Sequence, residues 1–375
     1  MHVAISLLTL FPGRSGGTET YARALVQELG RGAAGSDNVT VLASARVAAA
    51  LEGPRPRMHV VRSYRPGDGT ATRLAAMTFA GVAPWVAGRD VPAGIELVHY
   101  PVTIPIPRVT GAARVVSLND VQHHELPEFF SPPERRFRTF AYDRAARRAD
   151  HVLTLSEHAR GQIVERIGIP PDGVTAIHCA VDHDRFTPEP DAHDAALADL
   201  PERFVLYPAN LWPHKNHERL LRAFAAAGVD DLHLILTGQT YGRPLPGPPN
   251  PRVRHLGHLP FAQLPALYRR ATALVFPSLF EGFGMPLVEA MACGCPVAAS
   301  DRGAIAEVCG DAALAFDPTS EEAIADAIRR VVAEDSLRAR LRSDGLERAA
   351  QFRWDDVAAR HVAVYRRVRA ARIAR

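Results

Sequence analysis

Short apolar runs alternate with amphipathic stretches along the whole chain. In the first half, runs with the length of buried parallel strands lie at 3–8, 39–42, 58–61, 97–100, 113–118, 152–155 and 174–177. In the second half they lie at 204–207, 232–236, 253–256, 271–276, 297–299 and 312–316. The segments between them have helical periodicity. Such alternation predicts parallel sheets covered by helices on both faces.

The chain is long enough for two domains of this kind. Its 375 residues exceed what one hydrophobic core normally organises. The segment 187–202 is rich in Pro, Asp and Ala, so we predict a linker there between a domain at 1–186 and a second at 203–353. Residues 64–94, rich in Gly, Pro, Ala and Arg, are predicted to form a loop-and-helix region.

Composition narrows the class of protein. Apolar residues make up 47% and charged residues 23%, which is typical of a globular enzyme. A net charge of +3 gives no argument for a nucleic-acid partner. No apolar run reaches about 18 residues, and the first residues lack a basic leader and a cleavage site. We therefore expect a cytoplasmic protein without a membrane span.

The stretch from Pro277 to Val297 carries the clearest candidate chemistry. Glu281-Gly-Phe-Gly284 is a glycine loop after an apolar strand, and Pro286 suits the first turn of the helix that follows. Free N–H groups at such a helix start attract a phosphate or a sugar oxygen. Glu281 and Glu289, separated by the loop, would accept hydrogen bonds from separate hydroxyls of one elongated ligand. The alternative is that both glutamates are ordinary exposed residues.

Lys215 is the only lysine among the 44 basic residues. It follows the strand at 204–207 and precedes a helix. A compact ammonium there would neutralise the charge of a diphosphate, which a planar guanidinium cannot imitate. Chance is the alternative explanation for its isolation.

Two polar groups follow strands of the first half. Gly16-Gly17 comes after the first strand and before a helix capped by Thr18. A strand, a glycine turn and a helix in this order can bind a phosphate at the helix start. Asn119, Asp120 and His123 follow the strand at 113–118, at the sheet edge where α/β proteins bind ligands. The alternative is that His123 and His124 are surface residues of a loop.

The stretch F-P-S-L-F-E-G-F-G-M-P-L-V-E-A-M-A-C-G-C-P-V, from Phe276 to Val297, resembles the signature of glycosyltransferase family 4, the retaining GT-B enzymes. The resemblance covers nearly the whole chain and is most specific over 207–317. It implies two facing Rossmann-like domains with an interdomain cleft, and a final helix, 354–375, that folds back on the first domain.

The resemblance also implies roles for single residues. Glu281 would face the donor sugar and Glu289 the ribose, while Lys215 with Asn216 would hold the diphosphate. Asn119 and Asn210 stand where relatives often have His and Arg. Residues predicted to bind the donor are Gly16, Gly17, Asn119, Asn210, Gly238, His258, Leu259, Gly282, Phe283, Gly284, Met285 and Glu289. Residues predicted to act in catalysis are Lys215, Glu281, Asp120 and His123.

We therefore predict a retaining hexosyltransferase that moves a sugar from GDP-mannose or a UDP-hexose to an acceptor hydroxyl. The nucleotide sugar is a co-substrate, and we expect no other cofactor and no metal. The alternatives are an inactive nucleotide-sugar-binding protein of the same fold, or a GT-B epimerase or phosphorylase.

Two cysteine and aspartate motifs are interpreted as structural, and one arginine-rich segment is left with two alternatives. Cys293-Gly-Cys295 could be a redox or metal half-site, but it lies in a helix-ending turn and we expect the thiols to pack. Asp182-His-Asp184 has the spacing of metal-binding carboxylates, but nothing else of a metal site accompanies it. The arginine-rich helix predicted at 132–149 would either contact an anionic membrane at the inner face or be solvated with internal ion pairs.

Overall fold

The computed structural model describes residues 1–13, 16–64, 72, 76, 88–190 and 199–374. It divides into two units, Met1–Cys179 with Trp354–Arg375, and Ala180–Arg353. Most of the loop-and-helix region predicted at 64–94 and half of the linker predicted at 187–202 lie outside the described residues.

The first unit contains a parallel sheet of seven strands in the order β3-β2-β1-β4-β5-β6-β7. The strands are β1 His2–Ser6, β2 Asn38–Ala43, β3 Arg57–Val60, β4 Leu97–Tyr100, β5 Ala113–Ser117, β6 His151–Thr154 and β7 Val174–Ala176. Its helices are α1 Gly16–Glu28, α2 Ala45–Ala50, α3 Gln122–Glu125, α4 Pro132–Arg138, α5 Arg144–Arg147 and α6 Glu157–Ile167.

The second unit contains a parallel sheet of six strands in the order β10-β9-β8-β11-β12-β13. The strands are β8 Phe204–Pro208, β9 His233–Thr237, β10 Val253–His255, β11 Ala273–Phe276, β12 Val297–Ser300 and β13 Leu314–Phe316. Its helices are α7 His217–Ala227, α8 Leu264–Arg270, α9 Met285–Ala292, α10 Gly303–Cys309, α11 Glu321–Ala333 and α12 Asp335–Ala349. The prediction of two α/β domains with parallel sheets is confirmed.

The last helix, α13 Trp354–Ile373, belongs to the first unit. It is fixed there by a buried polar network. The His361 Nε2 lies 2.7 Å from the Tyr21 hydroxyl, and the Tyr365 hydroxyl lies 2.7 Å from Nδ1 of His99. Burial lowers the pKa of His361 to about 4, so this imidazole is neutral near pH 7 and donates or accepts as its neighbours require.

Two predicted helices differ in the structure. The first begins at Gly16 rather than at Thr18. The helix predicted at 132–149 is divided into α4, a π-helical turn at Thr139–Asp143, and α5. A π turn holds one more residue than an α turn, and here it carries the Asp143 side chain into the protein, where 1% of it is exposed.

All four cysteines are buried and form no disulfide. This includes Cys293 and Cys295, whose thiols were expected to pack. Burial raises the pKa of the Cys295 thiol to about 12, so this thiol is not a nucleophile at neutral pH. Among the described residues, no helix combines the length and the hydropathy needed to cross a bilayer.

Candidate functional site

The order of strands in the second unit changes direction between β8 and β11. From β8 the chain proceeds outward through β9 and β10, and it then returns to the other side of β8 for β11, β12 and β13. In open α/β sheets, ligands bind outside the carboxyl ends of the strands at such a switch point. The loops after β8 and β11 carry Lys215 and Glu281 respectively, so two of the four predicted catalytic residues lie at this point.

The Lys215 loop is held rigidly. Lys215 ends a short 3₁₀ helix, Pro213–Lys215, and the buried Tyr207 hydroxyl donates to its carbonyl oxygen over 2.8 Å. Asn216 then adopts the left-handed conformation with φ 61°, which Asn tolerates better than most residues. Its side-chain amide donates to the carbonyl oxygens of Pro277 and Pro318 at 3.0 and 2.8 Å.

Asn216 therefore braces the loop, and the implied role of Lys215 with Asn216 in holding the diphosphate stays a prediction. Its remaining side-chain oxygen accepts from Arg219 at 2.7 Å, and only 7% of the residue is exposed. Because its polar side-chain atoms are already engaged, Asn216 positions Lys215 and ties the loop after β8 to the loop after β11.

The structure brings Lys215 and Glu281 into direct contact. The Lys215 ammonium donates to Glu281 Oε1 over 2.5 Å, and 17% and 12% of the two side chains are exposed. An ammonium carries three N–H donors, and within the described residues this is the one hydrogen bond that it makes to a side chain, so further donors remain for a ligand. The pair combines a cation suited to phosphate with an acceptor suited to hydroxyls.

The glycine loop adjoins this pair. Gly284 has φ 96° and precedes α9, and a Cβ there would approach Leu287 Cδ1 to 2.7 Å. Phe283 is 3% exposed and packs edge-on against Phe352, with ring centroids 5.6 Å apart. Gly282 and Met285 are half-buried. Because Phe283 points inward, the loop offers its backbone rather than its large side chain to a ligand.

Glu289 lies one turn into α9 and is 5% exposed. The Tyr268 hydroxyl donates to its Oε2 over 2.9 Å. Burial raises the pKa of Glu289 to about 7, against the opposing effect of this hydrogen bond. A carboxylate in this state gains from additional donors, since each one stabilises the charged form.

A second group of residues predicted to bind the donor lies in the loops after β8, β9 and β10. Asn210 accepts from the Gln239 N–H at 2.7 Å and donates to the Tyr241 hydroxyl at 3.2 Å. Gly238 has φ 131°, and a Cβ on it would lie 2.6 Å from Ala209 backbone atoms. The Gly238 N–H donates to the Gly257 carbonyl, next to the predicted base contacts His258, which is exposed, and Leu259, which is half-buried.

In the first unit the strand order reverses between β1 and β4, and Gly16 and Gly17 follow β1. Gly16 has φ 52°. The Asn119 amide donates to the Thr18 hydroxyl over 3.1 Å, so the loop after β5 meets the start of α1. Among the described residues, no hydrogen-bond partner reaches the buried Asn119 side-chain oxygen, and a ligand could supply one.

Asp120 and His123, both predicted to act in catalysis, have different surroundings in the structure. Asp120 Oδ1 accepts from the Gln122 N–H at 3.0 Å, just before α3. His123 is 2% exposed, with its Nε2 3.1 Å from Asp143 Oδ1. Its predicted contact with substrate stays a prediction, and the nitrogen that faces Asp143 is not available for it.

The family models match both halves of the chain. The model for "Glycosyltransferase Family 4" matches residues 15–185, and the model for "Glycosyl transferases group 1" matches residues 189–348. The O-antigen chain mannosyltransferase B of Escherichia coli is 30% identical over 270 residues, which cover 67% of this chain and 70% of that protein. The chain belongs to glycosyltransferase family 4.

Other curated relatives match over a smaller part of their length. The serotype-specific mannosyltransferase WbdA of Escherichia coli is 29% identical over 61% of this chain and 30% of that protein. The D-inositol 3-phosphate glycosyltransferase of a Nocardioides strain is 29% identical over 64% of this chain and 58% of that protein. The chain therefore spans less than two thirds of these two relatives.

Solved structures show the same GT-B fold. A sucrose-phosphate synthase of Thermosynechococcus elongatus superposes with a TM-score of 0.75 at 22% identity, covering 99% of this chain and 100% of that chain. Anabaena HepE, solved in complex with UDP and glucose, gives 0.73 at 19% identity, covering 97% and 98%. The predicted family, fold class and hexosyltransferase class are confirmed.

Sequence reasoning missed the residues that position this glycosyltransferase site. Tyr207 and Tyr268 lie in a buried strand and a buried helix, where their hydroxyls have no sequence signature. Asp143 is also missed, since it lies in a segment read as one solvated helix. An aspartate within an apolar helical face is a weak signal that could have drawn attention to it.

The arginine-rich segment shows features of both sequence alternatives. Arg138 pairs with Glu134 at 3.1 Å, as a solvated helix requires. Phe140 is 65% exposed, and the guanidinium of Arg144 lies over its ring. Contact with a membrane surface stays a prediction.

Proposed function

We propose that this glycosyltransferase is a retaining enzyme that moves a mannosyl group from GDP-mannose to an acceptor hydroxyl, with a UDP-hexose as the alternative donor. The observation that carries the proposal is the Lys215–Glu281 pair at the strand-order switch of the second unit. The names of the E. coli relatives, both mannosyltransferases, support mannose as the sugar.

In the proposed reaction the bond between the anomeric carbon and the diphosphate oxygen breaks, and the diphosphate leaves with the electron pair. The acceptor oxygen then bonds to the anomeric carbon on the same face, and its proton passes to the departing phosphate. Lys215 stabilises the negative charge that develops on the leaving group. Glu281 orients the ammonium and accepts from a donor-sugar hydroxyl, while the backbone N–H groups at the start of α9 receive anionic oxygens.

Donor choice can be read from a thermal-shift panel of UDP-, GDP- and dTDP-sugars. A ligand that binds only the folded state raises the unfolding midpoint, and we expect the largest rise with GDP-mannose. The selected donor is then incubated with enzyme and water alone, and proton NMR follows the anomer released first. Release of the donor's own anomer supports retention, and release of the opposite anomer refutes it. A midpoint shift without any turnover would favour an inactive nucleotide-sugar binder.

Because the pKa of Glu289 is raised, we expect donor binding to depend on pH. The raised pKa of about 7 means that the carboxyl is mostly protonated at pH 6 and mostly ionised at pH 8. Only the ionised form accepts hydrogen bonds from both hydroxyls of a ribose, so donor affinity should rise by about tenfold between these pH values. Calorimetry in buffers of different ionisation enthalpy should also show proton release on binding near pH 7.

The matched control is Glu289→Gln, which keeps the volume and cannot titrate. Its donor affinity should be lower and independent of pH over this range. The neighbouring Tyr268 and Cys293 do not interfere, because burial raises the pKa of both groups further above neutrality. An unchanged pH slope in Glu289→Gln would assign the titration to another group.

A further inference from the structure

Three metal-ligating side chains converge in the first unit, apart from the Lys215–Glu281 pair. His123 and His124 are consecutive residues of α3, and Asp143 ends the π-helical turn between α4 and α5. Their ligating atoms all lie within 4.8 Å of one another. The three residues come from two separate elements, so the cluster is a product of the fold and not only of neighbouring sequence.

The geometry suits a divalent transition metal. His123 Nε2 lies 3.1 Å from Asp143 Oδ1, and His124 Nε2 lies 2.9 Å from Oδ2. The ligands of a tetrahedral zinc ion, bound at about 2.0–2.2 Å, are separated from each other by roughly 3.4 Å. Each imidazole nitrogen therefore needs to move only a few tenths of an ångström from its carboxylate oxygen to reach this spacing, and all three ligating atoms already lie within 4.8 Å of one another.

The burial of Asp143 gives a reason for a cation at this point. One per cent of its side chain is exposed, and within the described residues its carboxylate pairs with the two imidazoles and with no Lys or Arg. A buried carboxylate is costly unless its charge is compensated. A divalent ion held between the carboxylate and the two imidazoles would supply this compensation.

We propose that His123, His124 and Asp143 bind one Zn²⁺ ion, with water completing the coordination. Two imidazoles and one carboxylate form a donor set that Zn²⁺ accepts. His124, whose side chain is 24% exposed, gives the ion a route from solvent, while His123 and Asp143 form the buried side of the site.

The role of the ion is structural. It joins α3, which follows the carboxyl end of β5, to the π-helical turn and so fixes the loop that contains Asp120. The proposed ion departs from the sequence expectation of no metal, and it stabilises the fold without taking part in sugar transfer. The site also leaves His123 Nε2 unavailable to a sugar hydroxyl.

The test is calorimetric titration of the tag-free, EDTA-treated full-length protein with ZnCl₂. We expect one equivalent to bind and the unfolding midpoint to rise with zinc concentration. His124→Gln and Asp143→Asn should each weaken this binding by at least about tenfold. His183→Gln is the matched control, because His183 is a half-buried histidine of the other unit and should leave the affinity unchanged.

Loss of the fold cannot imitate the expected result. His124 lies partly in solvent, so His124→Gln should keep its unfolding midpoint in EDTA, and circular dichroism checks Asp143→Asn. Titration with Co²⁺ gives a second readout, since its visible absorption bands report coordination by nitrogen and oxygen ligands. The proposal would be overturned if the wild type bound no stoichiometric Zn²⁺, or if both variants bound Zn²⁺ with the affinity of the wild type. Either result would leave a hydrogen-bonded His–Asp cluster.

Discussion

Replacing Lys215 by alanine is expected to lower the turnover number by about 10²-fold or more. Glu281 holds the ammonium at the switch point of the second sheet, and Tyr207 and Asn216 fix the loop that carries it. A charge contact fixed in advance stabilises a leaving diphosphate without reorganisation during the reaction. Steady-state kinetics with the donor selected by the thermal-shift panel measures the effect.

Two further variants separate the possible causes of this loss. Lys215→Arg keeps the charge but replaces a compact ammonium with a planar group, so it should recover only part of the activity. The double variant Lys215→Ala with Glu281→Gln removes the unpaired carboxylate that the single change leaves. If the double variant recovered wild-type turnover, the loss would come from that carboxylate and not from the missing cation.

Replacing Gly238 by alanine is expected to lower the unfolding midpoint by on the order of 5–10 °C and to weaken donor binding. The new Cβ would lie 2.6 Å from the Ala209 carbonyl group, and φ at this residue is 131°. Neither backbone can yield without moving Asn210 and the loop after β9. Overpacking of this kind costs about 1–3 kcal/mol, and the strained backbone adds to it.

Gly242→Ala is the control for backbone strain alone. Gly242 has φ 76°, and a Cβ there would meet nothing within 4 Å. Its substitution should therefore cost only the left-handed conformation, about 1–2 kcal/mol, and should not affect donor binding. Equal midpoint changes in the two variants would contradict the close approach at Gly238.

The architecture could be predicted because a parallel strand buried on both faces leaves a continuous apolar run. Leu274-Val-Phe276 and Val297-Ala-Ala are examples, and each run indicates a strand whatever its neighbours are. The order of strands could not be predicted, because it depends on contacts between distant segments. The adjacency of β8 and β11, which brings Lys215 to Glu281, depends on such contacts and could not be predicted.

The properties of single site residues depended on the same long-range contacts. The pKa of Glu289 near neutrality results from burial beside Tyr268, a residue 21 positions away in α8. Asn216 looked like a ligand-binding partner of Lys215, yet its side chain is used by carbonyl oxygens from two other loops. The π turn that brings Asp143 to His123 interrupts a segment whose composition is typical of one continuous helix.

In the proposed mechanism, Lys215 binds the diphosphate of a nucleotide sugar. The most direct measurement compares the dissociation constants of the nucleoside mono- and diphosphate of the selected base, for the wild type and Lys215→Ala. We expect the diphosphate to bind much more tightly than the monophosphate in the wild type, and this ratio to fall at least tenfold in the variant, as loss of a charged hydrogen bond of about 1.5–3 kcal/mol requires. An identical ratio in both proteins would contradict the claim.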